Sequence, residues 1–464
     1  MSLTYDYADA LRGLDCWFRL RRDLPSFSIT LPRCISPDQN DGITGFCVYR
    51  NMPSSIRVIV HRGSRQIGGS CIELATDCHR VLIDAGAPLD DSAPRELPSI
   101  AGVSMPGCPP DAVLLSHAHT DHSGLLGSVP RDVPVYLTSG TSKMLLAGEV
   151  FCYQPPLPCD RQRIIKPGKP VSIGDFTVTP LPVDHSIFGA VAFLVEAAGK
   201  RVLYSGDLRL HGRKPGMTRS LIESATSAPL DLLLIEGTHL SRSADAAPTK
   251  ERELETQIFD LIAAAPSLAL AFFSPQHLDR LVTFYKASRR AGRTFVIDLY
   301  AAFVMHLLRS EVRIPDPAHG PQLRVYFPER GRSIPRLERR LAAARITLDE
   351  VLAEPARYLM LCRPSMLLRD LKGTVPAKTL GLYSMWDGYL ERDDWQRTQR
   401  VISGAGGQFV ECHTSGHAAV PDLVRLIHDL RPRRIVPIHT ERPEALKELV
   451  TGVEIVEDGE VIVL

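Results

Sequence analysis

No C-x-x-C pair occurs among the ten cysteines of this 464-residue chain. In a long chain without an export signal, that argues against a zinc ribbon or a disulfide framework and for reduced, mostly buried thiols. No apolar run approaches the ~18 residues that a membrane-crossing helix needs, so no membrane association is expected. The first residues, MSLTYDYADALRG, carry acids where an export leader would carry bases and then an apolar stretch. A cytoplasmic protein is therefore expected. Net charge is nearly absent as well: 54 Lys and Arg against 53 Asp and Glu leave +1. That excludes a polybasic, histone-like footprint but leaves room for a local basic cleft. Lysine is scarce, 10 of the 54 bases, and the arginine bias fits an Arg- and Ala-rich composition better than a dedicated phosphate grip. Repeats and low-complexity tracts are missing too. With 44% hydrophobic residues, the chain can bury cores in two or three domains.

What is present divides into blocks. Residues 1–55 form an N-terminal extension with aromatic and basic residues (Trp17, Phe18, Arg19, Arg21, Arg22) and no assignable role. Residues 56–245 are rich in short β-branched runs broken by Gly and Asp, among them IRVIVHR, CIELATD, RVLIDAG, DAVLLSH, RVLYSGD and DLLLIEG. Over 246–404 helical stretches alternate with buried strands, the pattern of βαβ units and a parallel sheet. From 405 to 464 the first block's style resumes, with strand ends that carry histidine. This is one domain inserted into another.

The strongest chemical signal is HAHTDHSG at 117–124, directly after the strand DAVLLS. His117, His119, Asp121 and His122 at a strand end and helix start can converge, and imidazole with carboxylate is the donor set of zinc or a similar divalent ion. Other candidates close other strands: Asp84, His185, Asp207, His417 and His439. Together they suffice for two ions, and a carboxylate such as Asp207 offers two oxygens with which to bridge them.

The order of these motifs resembles the metallo-β-lactamase superfamily. RGSRQIGGSCIEL, LLLIEGTHL, and HTSGHA followed by PIHTE resemble its β-CASP branch of nucleic-acid-processing nucleases, which includes ribonuclease J and the polyadenylation-factor endonuclease. The similarity covers roughly 56–464. It implies an αββα sandwich with an inserted β-CASP α/β domain. It further implies two Zn2+ ions, with Mn2+ or Mg2+ as substitutes. His117, His119 and His185 would hold one ion, Asp121, His122 and His439 the other, and Asp207 would bridge. Asp84 would orient the cluster. His417, supported by Glu236, would serve the scissile phosphate or the leaving oxygen, and His413 and Ser415 would contact substrate phosphate. RNA is the implied partner, since a histidine at the position of His439 goes with RNA substrates in this family; single-stranded DNA is second, and a homodimer is admitted. The implied activity is endo- or 5′-exoribonuclease cleavage by a hydroxide held between two metals. The rivals are a small ester, thioester or lactone hydrolase, a DNA-directed nuclease and an inactive RNA-binding subunit.

The chain departs from the branch in places. PIHTE replaces the usual His-Gly-Glu wording, SPQHLDRLVTFYKA and MLCRPSM are atypical, and no counterpart of ribonuclease J's additional C-terminal domain is expected. Three further readings can be tested by the structure. Arg209, His211, Arg213 and Lys214 suit a phosphate contact and a structural role equally. Arg336, Arg339 and Arg340 read as a solvated helix face. GGS at 68–70 reads as a tight hairpin turn.

Overall fold

The computed structural model describes residues 55–90, 92–242, 248–328 and 333–464. The N-terminal extension, with Trp17 and its basic neighbours, lies outside the described residues up to position 54. Three sheets organise the rest. The first has seven strands in the spatial order Val461–Val463, Arg57–Arg62, Cys71–Ala75, Arg80–Ile83, Ala112–Leu114, Val135–Thr138 and Gln162–Ile165. The second has six, in the order Arg434–Ile438, Leu232–Glu236, Lys200–Tyr204, Val191–Ala197, Phe176–Pro182 and Val171–Ile173. Their inner faces share one apolar core, where Val58, Val60 and Ile83 meet Val178, Phe193, Val202 and Leu234. Helices Pro215–Ala225 and Val420–Leu430 cover the outer face of the second sheet through Leu221, Leu423 and Leu426. The outer face of the first packs on Leu97, Ile100, Leu125 and Leu126. This is the expected αββα sandwich.

The third sheet runs Arg345–Ile346, Leu323–Tyr326, Thr294–Asp298, Tyr358–Leu361, Ala269–Phe272, Leu380–Tyr383 and Gln408–Glu411, and every pairing in it is parallel. Parallel strands need crossover helices that cover both faces. Here Glu251–Ala264, Leu278–Arg290 and Leu299–Leu308 pack on one face, while Met366, Leu367, Trp395 and Ile402 cover the other. Helix Ser139–Cys152 of the sandwich joins the first of these cores through Met144 and Ala147, so the two units are packed together.

Several expectations shift. Gln408–Glu411 pairs with Leu380–Tyr383 of the inserted sheet, so the return to the sandwich begins after Glu411 rather than at 405. The GGS segment is not a tight turn. It ends a longer connection, residues 63–70, in which Gly68 and Gly69 both have positive φ. Of the seven described cysteines, all free, only Cys71, Cys362 and Cys412 are buried. Arg336 and Arg339 face solvent, as a solvated helix face requires, while Arg340 pairs with Asp316. Met305 and Phe303 are core. Among the described residues no helix is long and apolar enough to cross a membrane.

Candidate metal centre

The candidate ligands follow the carboxyl ends of neighbouring strands, where parallel strands deliver side chains to one edge. Asp84 comes directly after Arg80–Ile83, Glu236 ends Leu232–Glu236, and His439 follows Arg434–Ile438. Asp84 and His439 turn sharply, with φ of 62° and 52°. The HAHTDH segment is pinned by backbone: Ala85 N–H donates to His122 O (2.8 Å), Ala87 N–H to Thr120 O (2.9 Å) and Ser70 N–H to Asp121 O (3.0 Å). This close approach requires Gly86, since a Cβ there would stand 1.7 Å from Asp121 O.

Three groups of ligand atoms result, each gathered within 4.8 Å: His117, His119, His185 and Asp207, then Asp121, His122, Asp207 and His439, and beside them a smaller one of Glu236, His417 and His439. In the first, His119 Nδ1 lies 3.1 Å from both His117 Nε2 and His185 Nε2, and Asp207 Oδ2 lies 3.7 and 3.8 Å from those two nitrogens. A tetrahedral zinc with bonds of about 2.0–2.1 Å has ligand edges near ~3.3 Å. In the second, Asp121 Oδ2 lies 3.2 Å from His439 Nε2, and Asp207 Oδ2 lies 3.2 Å from His122 Nε2. Asp207 belongs to the first two groups. The residues fit a pair of ions on a further ground: His122 Nε2 and both oxygens of Asp207 are buried without a hydrogen bond, a cost that a metal ion would remove.

A second layer fixes which nitrogens face the centre. Asp84, fully buried, accepts from Ser116 N–H (2.8 Å), Ser116 Oγ (2.7 Å), Tyr204 Oη (2.6 Å) and His122 Nδ1 (2.7 Å). Donating from Nδ1 to Asp84, His122 turns Nε2 inward. The Ser116 hydroxyl, already donating to Asp84, accepts from His117 Nδ1 (3.0 Å), and Gly416 O accepts from His185 Nδ1 (2.6 Å). Thr238 Oγ1 sits between two imidazoles, 2.9 Å from His439 Nδ1 and 3.0 Å from His417 Nδ1.

Electrostatics agree with a site that takes cations. Burial, reinforced by neighbouring histidines, holds His117 and His185 well below the ordinary imidazole pKa and brings His119 down to about 4. Neutral imidazoles are ligands. Burial opposes charge on His122 as well, but Asp207, Asp84 and Asp121 overcome it and raise its pKa well above the ordinary value. A proton stands there where three carboxylates call for positive charge.

Beside the ligands lies His417, with Nδ1 3.4 Å from Glu236 Oε1 and 3.9 Å from Asp207 Oδ2. Burial would lower its pKa; Glu236 and Asp207 outweigh that and push it up to about 9. Glu236 is itself anchored by Thr238 N–H (2.9 Å) and Ala418 N–H (3.2 Å). The structure does not bring His413 into the cluster. Its Nδ1 rests 3.2 Å from Arg280 Nη1, and the packing around the ring together with that cation brings its pKa down to about 3. Ser415 Oγ accepts from His417 N–H (3.1 Å) and lies 3.2 Å from His239 Nε2.

The basic run after Asp207 turns out to be structural. Arg209 is fully buried against Asp184, Glu251 and Asp279, Arg213 binds Glu255, Lys214 binds Asp279, and His211 donates to Ser415 O. Sequence reasoning missed Ser116, Tyr204, Thr238 and His239. Their only signal was adjacency to the motifs, as in LLSHAH, YSGD and EGTHL.

Two family models match the chain: a Beta-lactamase superfamily domain over residues 79–292 and a Zn-dependent metallo-hydrolase RNA specificity domain over 408–460. An "RNase J-like protein" of Methanocaldococcus jannaschii is 24% identical over 52% of this chain and 56% of its own length. A "Probable RNase MJ4" of the same organism is 31% identical over 39% and 45%. The chain thus spans about half the length of these curated relatives. A crystal structure of a protein of unknown function from Enterococcus faecalis V583 superposes with a TM-score of 0.73 at 26% identity, covering 88% of this chain and all of that one. Both matches contain candidate ligands described above, and together they identify the chain as carrying the Beta-lactamase superfamily domain and the RNA specificity domain found in the β-CASP branch of the metallo-β-lactamase superfamily.

Proposed function

We propose that the chain is a zinc-dependent nuclease that hydrolyses phosphodiester bonds of RNA. The observation that carries this reading is Asp207 shared between two ligand groups with a protonated His417 alongside. The match of the RNA specificity domain over the segment that holds His413, His417 and His439 supports the choice of RNA, as do the ribonuclease names of the relatives.

His117, His119, His185 and Asp207 would hold one ion; Asp121, His122, His439 and Asp207 would hold the other. A bound pair of divalent cations supplies Lewis acidity to a phosphodiester oxygen and to the attacking water. The protein's own contribution is orientation and proton supply. Asp84, Ser116, Gly416 and Thr238 keep the Nδ1 protons of His122, His117, His185 and His439 away from the centre. His417 keeps its proton at neutral pH because Glu236 faces it, and delivers a proton from Nε2 to the leaving oxygen, a general-acid role.

The test is digestion of 5′- and 3′-labelled single-stranded RNA and DNA, with and without a 5′-monophosphate, by zinc-loaded protein. RNA should be cleaved, and chelation should abolish cleavage. Turnover of a thioester or lactone with RNA left intact would overturn the reading.

A further inference from the structure

The carboxyl ends of three adjacent inserted strands, Ala269–Phe272, Leu380–Tyr383 and Gln408–Glu411, open on the side of the metal centre, because the last leads directly into the segment that holds His413 and His417. The loop after Leu380–Tyr383 is tied to that segment: Ser384 Oγ donates to Cys412 O and receives Arg280 Nη1, whose guanidinium also touches His413. Two residues further on stands Trp386, which is 52% exposed. The chain's other described indole, Trp395, is buried against Tyr383 and Phe272. Asp387 lies 3.7 Å from Arg242, three residues beyond His239 on the sandwich side. That exposed pair adds little stability, but it places Trp386 at the rim between the two units.

The indole is held ready rather than merely exposed. It lies against Gly388, where a Cβ would stand 2.4 to 2.8 Å from atoms of its six-membered ring, so any other residue would lift it. The Tyr389 ring meets its edge at 5.2 Å and 82°, and Tyr383 Oη donates to Trp386 O at 2.5 Å. The indole is thereby supported by Gly388 and Tyr389, while about half of the residue remains exposed. Arg392 stacks over Tyr389 at 4.7 Å, within a stretch that also carries Asp387, Glu391, Asp393 and Asp394. A large, fixed aromatic surface is what single strands stack on without regard to sequence, since every base has a π face.

We propose that Trp386 is a stacking platform for one unpaired base of the substrate strand at the cleft rim. The inference rests on the nuclease reading and adds to it a site for the base rather than the phosphate. Each base stacked on an aromatic residue contributes ~1–3 kcal/mol, or about 5- to 150-fold in affinity.

The test measures binding of a labelled single-stranded RNA, and of a strand of equal length lacking bases, to the full chain carrying Asp207→Ala so that the RNA stays intact. Trp386→Ala should weaken RNA binding about 5- to 150-fold and leave the base-free strand unchanged. Trp386→Phe should keep most of the affinity, and Gly388→Ala should weaken it by displacing the indole. RNA binding unchanged in Trp386→Ala would overturn the platform while leaving the nuclease reading intact. So would an equal loss for both strands, the result expected if Trp386 serves the fold or a protein partner. Failure of the parent chain to bind RNA, with no cleavage by the zinc-loaded native protein, would overturn both.

Discussion

Asp207 and Arg209 are two residues apart, both buried, and belong to opposite kinds of polar cluster. Arg209 spends its guanidinium on three carboxylates: Nε on Asp184 (3.2 Å), Nη1 on Glu251 (3.2 Å) and Nη2 on Asp279 (3.0 Å). Glu251 in turn receives Arg280 and the Thr283 hydroxyl. None of the side-chain nitrogens or oxygens of Arg209, Arg280 and Glu251 is among the buried atoms without a partner, whereas both oxygens of Asp207 are. A saturated buried cluster is complete as protein and joins the sandwich to the inserted unit. An undersaturated one is complete only with a ligand. The two should therefore fail differently when broken.

The largest effect is expected at Asp207. Asp207→Ala removes the group shared by both ligand sets, so activity should fall on the order of 10³-fold or more, as when one member of a cooperating unit is deleted. Elemental analysis should show lost metal, and circular dichroism should show a retained fold. Retention of more than about a tenth of the native activity, in keeping with that expected loss, would end the bridging assignment.

His417 and His439 sharpen the contrast inside the site. Their rings stack with centroids 5.7 Å apart and share Thr238. Yet only His439 Nε2 reaches Asp121, at 3.2 Å. His417→Ala should keep its metals and lose turnover by about 10²–10⁴-fold, the range of a general acid. His439→Ala should instead lose occupancy of one metal. Equal metal loss in both variants would show that the pair was divided wrongly.

Breaking the saturated cluster should cost stability rather than metal. Arg209→Ala strands Asp184, Glu251 and Asp279 without their shared cation, and losing one partner of a buried pair costs about 3–5 kcal/mol. Urea unfolding should register that loss, while zinc content per folded chain stays near the native value. A variant as stable as the native chain would mean that water replaces the guanidinium.

These contrasts also mark what could be read from the sequence. HAHTDH was legible because four candidate ligands lie within six residues; most strands of the frame were legible because they alternate or run apolar, while the αββα arrangement itself came from the resemblance. Ser116 and Thr238 were not, since a hydroxyl's role depends on neighbours up to 201 residues away, as with Thr238 and His439. The basic run 209–214 stayed ambiguous for the same reason: Arg209's carboxylates at Glu251 and Asp279 arrive from the inserted unit, 42 and 70 residues on. Edge strands Gln162–Ile165, Val171–Ile173 and Val461–Val463 escaped notice because they are short and partly exposed. The boundary near 405 slipped because a strand's membership in a sheet is set by hydrogen-bonded partners, not by composition.

The smallest predicted effect concerns pH and belongs to the saturated cluster. Burial would raise the pKa of Glu251, but Arg280 and Arg209 beside it, with the Thr283 hydroxyl, bring it from 4.5 to about 2. A carboxyl depressed on folding stabilises the native state above its unfolded pKa and loses that contribution as pH falls through the folded one. At ~1.4 kcal/mol per unit, the contribution is about 3 kcal/mol at neutral pH. It should fade between roughly pH 4.5 and pH 2, the window of the shift. Comparing urea unfolding of the native chain with Glu251→Gln isolates this residue, because other carboxyls titrate in both. The measurement is made with metals chelated, so that acid release of metal does not contribute. The stability gap between the two chains should be widest at neutral pH and close as the pH falls through that window. A gap that stays constant down to about pH 2 would mean that folding does not depress the Glu251 carboxyl and that the difference between the two chains comes from packing.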